Sequence, residues 1–456
     1  MARVNQCAPR VASTARARRR GVAAPGAPLV VHGTRVRAPP GLPALPVRGT
    51  YSDRVPAPQP PGAGLRPADP RFRRALLALA ATGVAAFAMI YVVQPLLPLV
   101  SRDLGVDATR ASLLVSVSTL AIAVAVLPFA RLSERLGRGR LMVLGLAAAA
   151  AAGILAAFAP SFALLLVARG VQGVALAAVP AAAVAWVAEN IDPGSVTRVA
   201  GLYIAGTTVG GMGGRVLGGV VADVASWRTA LLVVALVGAA LTAAAFLLLP
   251  GGITARTRTV RDTPAGRGPA AGRAARVRLY VLAGLAMAMF VGIYNVIGYR
   301  TSAPPFLLGT GIGSMFYLTY LAGTATSSLA GRLERRAGLR TTALVGLAAC
   351  LAGVGLTVPD SLVLVWVGLA VVAAGFFMVH ATASANAARL SPRPSDGSGL
   401  YTFAYYLGSS VGGVVLGQAW ELGAWGGTVV ASVALIGAAT VVAVGLPRRT
   451  VGARTA

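Results

Sequence analysis

The chain has 456 residues, 56% of them apolar and only 12% charged, with a mean hydropathy of +0.74, against about 25% charge in an average soluble domain. This excludes a water-soluble enzyme and makes the lipid bilayer the solvent to reason with. All 41 basic residues are Arg, against 13 acidic residues and two His, for a net charge of +28; whether that charge points to nucleic acid depends on where it sits.

Residues 1–74 hold 14 of the Arg and 13 of the 28 Pro, only Asp53 and Asp69 as acids, and no apolar period. Such a stretch is expected to be a disordered cytoplasmic tail, so its charge does not mark a nucleic-acid-binding domain. Arg16, Arg18, Arg19 and Arg20 precede a short mixed stretch interrupted by Pro25 and Pro28, which argues against a secretory signal or a spanning helix. Three readings stay open: a twin-arginine export signal, an arm for anionic lipid headgroups, gaining about 1 kcal/mol per Arg near the membrane, or an overlong start of the reading frame. Cys7 and Cys350 are too few and too unlike in setting to suggest a disulfide framework. No metal ligand set, nucleophile-and-base grouping or phosphate-binding loop is visible, so no enzymatic role, metal or cofactor is expected.

From Ala75 the chain becomes a succession of apolar runs near the ~20 residues a helix needs to cross a ~30 Å hydrocarbon core. Twelve spans are expected, at 75–99, 110–130, 141–159, 162–188, 200–223, 229–249, 279–299, 312–330, 342–358, 361–386, 399–420 and 427–446. Backbone groups cannot go unpaired in lipid, and the alternation of a membrane barrel is absent, so the fold class is an all-α membrane protein. With the N-terminus inside, 21 Arg beyond residue 74 fall on the cytoplasmic side and four (Arg102, Arg110, Arg228, Arg300) on the other. Cytoplasmic loops retain positive charge, so both termini are expected in the cytoplasm of a bacterial plasma-membrane protein.

The basic segment 251–278 divides six spans from six. Gly201, Gly210, Gly214, Gly219 and Trp227 recur 198 residues later as Gly399, Gly408, Gly412, Gly417 and Trp425, which makes the fifth and eleventh spans equivalent parts of two repeats. The expected organisation is a tail over 1–74, six-helix bundles over 75–250 and 279–446, a linker over 251–278 and a second tail over 447–456. Two pseudo-symmetric bundles around a midplane site form an architecture that rocks.

The segment after the second span reads Ala130-Arg131-Leu132-Ser133-Glu134-Arg135-Leu136-Gly137-Arg138-Gly139-Arg140. It resembles the G-x3-D-R-x-G-R-x-R signature of the major facilitator superfamily, with Ala130 for the first Gly and Glu134 for Asp. The copy over 331–340 is weaker, with Arg335 in the acidic place. The resemblance implies a gate built from Glu134, Arg135, Gly137, Arg138 and Arg140, stronger in the N-terminal half. Arg169-Gly170-Val171-Gln172-Gly173 is similar to the R-x-x-Q-G motif of proton-coupled drug antiporters. Gly201, Gly210, Gly214, Gly218 and Gly219 fit the antiporter motif G-x8-G-x3-G-P-x2-G-G, with Arg215 where Pro is expected. Together with Tyr294–Arg300, Gly375–His380 and Tyr405–Gly413, these motifs resemble the arabinose-efflux-type inner-membrane permeases.

An ionisable residue within a span is costly and by default functional. Arg169 is read as a transport group or as a structural cap bonding helix carbonyls. Arg215 is read as a transport group, or as a side chain that snorkels or meets Asp223. His380 is the one side chain in the bundle whose unperturbed pKa lies near neutrality, and is read as a proton carrier or an imidazole bonded at both nitrogens. Tyr91, Gln94, Gln172, Asn295 and Tyr405 supply neutral hydrogen-bonding groups around a polar ligand, with interhelical bonding as the plain alternative. Pro95 and Pro98 should bend the first span and turn backbone carbonyls toward the cavity.

The resemblance implies a monomeric secondary transporter with protons and a small sugar-like or drug-like solute as its partners. Export in exchange for protons leads. Uptake by the same machinery in reverse and a non-transporting scaffold with the Arg-rich tail as its arm are the alternatives.

Overall fold

The computed structural model describes residues 64–250 and 271–448; the tail over 1–63, most of the linker (251–270) and residues 449–456 lie outside them. The described residues form helices throughout, apart from one parallel bridge between Leu65 and Ile191. In chain order the helices are α1 (Pro70–Tyr91), α2 (Leu97–Leu104), α3 (Ala108–Leu136), α4 (Arg138–Ala157), α5 (Phe162–Leu176), α6 (Ala178–Asn190), α7 (Val196–Val224) and α8 (Trp227–Leu248). They continue as α9 (Ala271–Ser302), α10 (Thr310–Ser314), α11 (Tyr320–Ala337), α12 (Leu339–Leu356), α13 (Leu362–Arg389) and α14 (Pro394–Val444). Among the described residues, nine helical stretches are long and apolar enough to cross a membrane. The glycine- and threonine-rich α7 and the polar α11 fall outside that set.

Short polar residues start these helices by accepting orphan backbone N–H groups. Asp107 accepts from Arg110 N at 2.6 Å, Ser226 from Thr229 N at 3.1 Å and Ser161 from Leu164 N at 3.3 Å. Asp69 caps α1, taking Arg71 N at 2.8 Å, and the Arg71 side chain bonded to its carboxylate holds that carboxyl below its usual range. Helix α1 therefore begins at Pro70, five residues before the expected 75, and 64–69 docks at the end of α6 through Leu65 N to Asn190 O at 2.8 Å. The expectation of a structureless tail is thus corrected for residues 64–74. The linker is corrected likewise, since helix α9 already starts at Ala271.

The charged segment 130–140, between the second and third expected spans, is not a loop. Instead α3 runs through Glu134 and Arg135, and α4 starts at Arg138; only Gly137 interrupts, at φ +88°. Gly338 does the same between α11 and α12 at φ +87°. The two final spans fall within α14, which consists of two helices meeting at Gly423 and Ala424, where the dihedrals leave the helical region.

Small residues set the helix spacing. A Cβ on Gly214 of α7 would lie 2.5 Å from Ala88 Cα of α1, and Gly210 meets the Val84 backbone one turn earlier. Gly408 and Gly412 of α14 meet Gly284 and Ala288 of α9 in the same way. Backbones approach this closely only where side chains are absent.

Candidate functional site

Between the helices lies a cavity of about 770 Å³ lined by α1, α6, α7, α9, α11, α13 and α14. Its wall follows α7 from Gly201 to Arg215 and α14 from Ser398 to Tyr406. It therefore opens toward the end of the bundle where the Arg131–Arg140 segment lies and closes at Tyr91, Arg215, Val291 and Tyr320. The far ends are shut. There Asp223 accepts Gly311 N at 2.7 Å, Glu421 accepts Ala108 N at 2.7 Å, and Ser101 and Tyr299 share a hydrogen bond at 2.6 Å.

Four of the residues expected on the pathway line this cavity: Tyr91, Arg215, His380 and Tyr405. Arg215 is 1% exposed. Its Nε donates to Gln94 Oε1 at 2.6 Å, one terminal nitrogen donates to Gly211 O at 2.7 Å, and the other lies 3.4 Å from the Tyr320 hydroxyl. Its guanidinium carbon sits 4.2 Å from the Tyr91 ring centroid and 4.9 Å from those of Tyr317 and Tyr320. Rings this near attract a desolvated cation through their quadrupoles. Asp223 is engaged elsewhere and does not pair with Arg215, so that expected contact is corrected; the side chain points into the protein rather than snorkelling.

Gln94 and Asn295 lie behind the floor. Gln94 Nε2 donates to Asn295 Oδ1 at 2.6 Å, so a polar chain runs from Arg215 through the 3-10 turn at Gln94–Leu96 to α9. His380 stands in the wall with Nδ1 2.9 Å from the Tyr401 hydroxyl and its ring 4.9 Å from that of Tyr405. Phe376 stacks on Phe290 with 3.9 Å between centroids and stiffens this side.

Arg169 and Gln172 are not in the cavity. Arg169 Nε donates to Leu114 O at 3.1 Å, its terminal nitrogens reach Met89 O at 3.0 Å and Ile90 O, and it also bonds Gln172 Oε1; Gln172 Nε2 donates to Ala149 O at 3.0 Å. The first span does break at Pro95, but the carbonyls freed there are taken by Arg169 instead of facing the cavity. Of the two sequence readings, the clamp on carbonyls of α1 and α3 is the one the geometry matches.

At the Arg-rich ends the tight pair is Arg138 Nε to Glu189 at 2.6 Å, with both side chains 13% exposed. Glu134 is 58% exposed and 3.8 Å from Arg138, while Arg135 and Arg140 are exposed. In the other half Glu334, one position before Arg335, accepts from Asn386 Nδ2 at 2.9 Å and Arg389 at 3.3 Å. Both halves thus carry an acid–Arg contact, the N-terminal one shorter and more buried, with Glu189 rather than Glu134 as its acid. Gly210, Gly214, Gly218 and Gly219 form close approaches, to α1 and its following turn and, for Gly219, to Ser314 of α10; Gly201 meets nothing within 4 Å and sits at the cavity mouth.

Residues 79–413 match the Major Facilitator Superfamily. The chain belongs to this superfamily. It is 34% identical to an uncharacterized MFS-type transporter, YybF, of Bacillus subtilis, over 80% of this chain and 91% of that one. It is 32% identical to the inner membrane transport protein YnfM of Escherichia coli, over 78% and 87%. A bacterial homolog of the human lysosomal transporter Spinster, in an inward-facing and occupied conformation, superposes with TM-score 0.65 at 15% identity, over 83% of this chain and 96% of that one. This superfamily member is therefore a multi-pass membrane protein of a transporter family, as its motifs suggested.

Sequence reasoning missed Tyr320, Tyr401 and Tyr406, which complete the aromatic wall. Tyr401 and Tyr405 stand four residues apart on one face of α14, a spacing that marks a shared helix surface.

Proposed function

We propose that the chain is a secondary transporter that moves a small solute across the bacterial cytoplasmic membrane by alternating access, exporting it in exchange for protons. On this reading α7 and α11 also cross the bilayer and α14 crosses twice, giving twelve crossings in two pseudo-symmetric bundles with both termini cytoplasmic. The observation that carries it is the cavity of about 770 Å³ open at one end and sealed at the other, the geometry an inward-facing carrier needs.

The sealed end supports the reading. Ser116 Oγ and Asn295 Nδ2 beside Gly413, and Ser112 Oγ beside Gly417, are buried with no hydrogen-bond partner among the described residues. Each such group costs roughly 1–3 kcal/mol when dry, so this interface is suited to part and be wetted when the cavity opens the other way. Proton exchange is assigned to His380, the one cavity-lining side chain whose ordinary pKa lies near neutrality.

Purified protein in proteoliposomes, screened with labelled sugars, organic anions and organic cations under an imposed pH gradient, tests this. Gradient-driven movement that His380→Gln uncouples from pH is the expected result. Movement of a solute with no dependence on the gradient removes proton exchange; movement of none removes the transporter reading.

A further inference from the structure

We propose that the solute is an organic anion with an apolar or aromatic body, bound with its anionic group against Arg215 at the cavity floor. The inference rests on the cavity being the solute site and names the class of solute it takes. Arg215 is the one guanidinium among the lining residues, and it has no acidic partner within 4 Å among the described residues. A buried guanidinium is normally paired, because an uncompensated charge in low dielectric is costly. Here Gln94, one carbonyl and three rings offset part of that cost. A guanidinium has five N–H donors. Three are engaged, one of them only by the distant Tyr320 hydroxyl, which leaves donors for a bidentate anion.

The rest of the wall agrees with this choice. The lining residues include no Asp, Glu, Asn or Gln, so no side chain is a carboxylate or amide acceptor suited to an ammonium group. Polar groups are hydroxyls, one imidazole and one guanidinium, all able to donate. Between them stand Phe87, Tyr91, Phe290, Tyr320, Phe377 and Tyr405, flat apolar surfaces for a hydrophobic body. An organic cation would place like charge near Arg215, which disfavours it. A sugar would leave the guanidinium without a counter-charge.

The test uses the full-length protein carrying Cys7→Ser, Cys350→Ala and Thr402→Cys, with the introduced thiol in the cavity wall, and three probes of one shape: naphthalene-2-carboxylate, its amide and the corresponding methylammonium. Each is titrated for protection of the thiol from a maleimide. The carboxylate is expected to protect at a concentration about tenfold or more below the amide, as a charge-assisted bidentate pair requires, with the ammonium weakest. Arg215→Gln should remove the carboxylate's advantage, and Arg215→Lys should retain only part of it. Equal protection by the amide or the ammonium overturns the anion assignment and leaves the cavity as the solute site. No protection by any probe overturns both. The wild-type ranking stands without the variants if either fails to fold.

Discussion

Arg169→Lys separates a clamp from a transport group. The substitution keeps the buried charge, so the cost of holding a cation there largely cancels, and only the bonds change. Arg169 makes four, to Leu114 O, Met89 O, Ile90 O and Gln172 Oε1, its two terminal nitrogens taking carbonyls of adjacent residues in α1. An ammonium lacks the planar fork and cannot span Met89 O and Ile90 O together with Leu114 O. Loss of about two bonds, at roughly 0.6–1.7 kcal/mol each inside a membrane bundle, predicts a destabilisation of about 1–3 kcal/mol. That should lower the melting temperature by several degrees in a thermal melt of detergent-solubilised protein, at about 2–4 °C per kcal/mol as an upper guide. Solute affinity of the folded fraction should be unchanged, because Arg169 does not line the cavity. An unchanged melt combined with lost solute binding would refute the clamp.

At the Arg-rich ends, Glu189→Ala should cost about 1.5–3 kcal/mol, the range for a hydrogen bond to a charged group, because it removes the near carboxylate from Arg138 at a site where both partners are 13% exposed. Glu134→Ala should cost about 0.5 kcal/mol or less, since that pair is long and mostly solvated; thermal melts of the two variants compared side by side check the order. Gly214→Leu should separate α1 from α7, because even a Cβ meets the Ala88 backbone; overpacking costs about 1–3 kcal/mol, and size-exclusion yield after solubilisation reads it.

The spans were legible because lipid permits so few backbone arrangements: apolar runs near 20 residues marked most of them, and Pro95 marked the break in the first. The boundaries that failed did so where charge was taken as a loop signal. Arg71, Arg73 and Arg74 continue α1, and Glu134 and Arg135 continue α3, because a helix that projects past the bilayer tolerates charge. In the site, Tyr91, His380 and Tyr405 were legible as polar side chains within apolar runs. Arg169 and Arg215 had the same sequence signal and opposite fates: whether a guanidinium meets carbonyls or a cavity depends on which helices surround it. Glu189 and Glu334 were not singled out because their partners, Arg138 and Arg389, lie 51 and 55 residues away.

The claim that the two ends of this bundle open in turn is tested most directly by labelling single cysteines from each side of the membrane. Thr402→Cys lines the open cavity, and Ser112→Cys replaces a fully buried side chain at the sealed end. With a membrane-impermeant maleimide, Thr402→Cys should react only from the cytoplasmic face. Ser112→Cys should react only from the outer face, and faster under conditions that drive turnover. A Ser112→Cys thiol that stays unreactive from outside under every condition, or a Thr402→Cys thiol that reacts only from outside, would contradict the account.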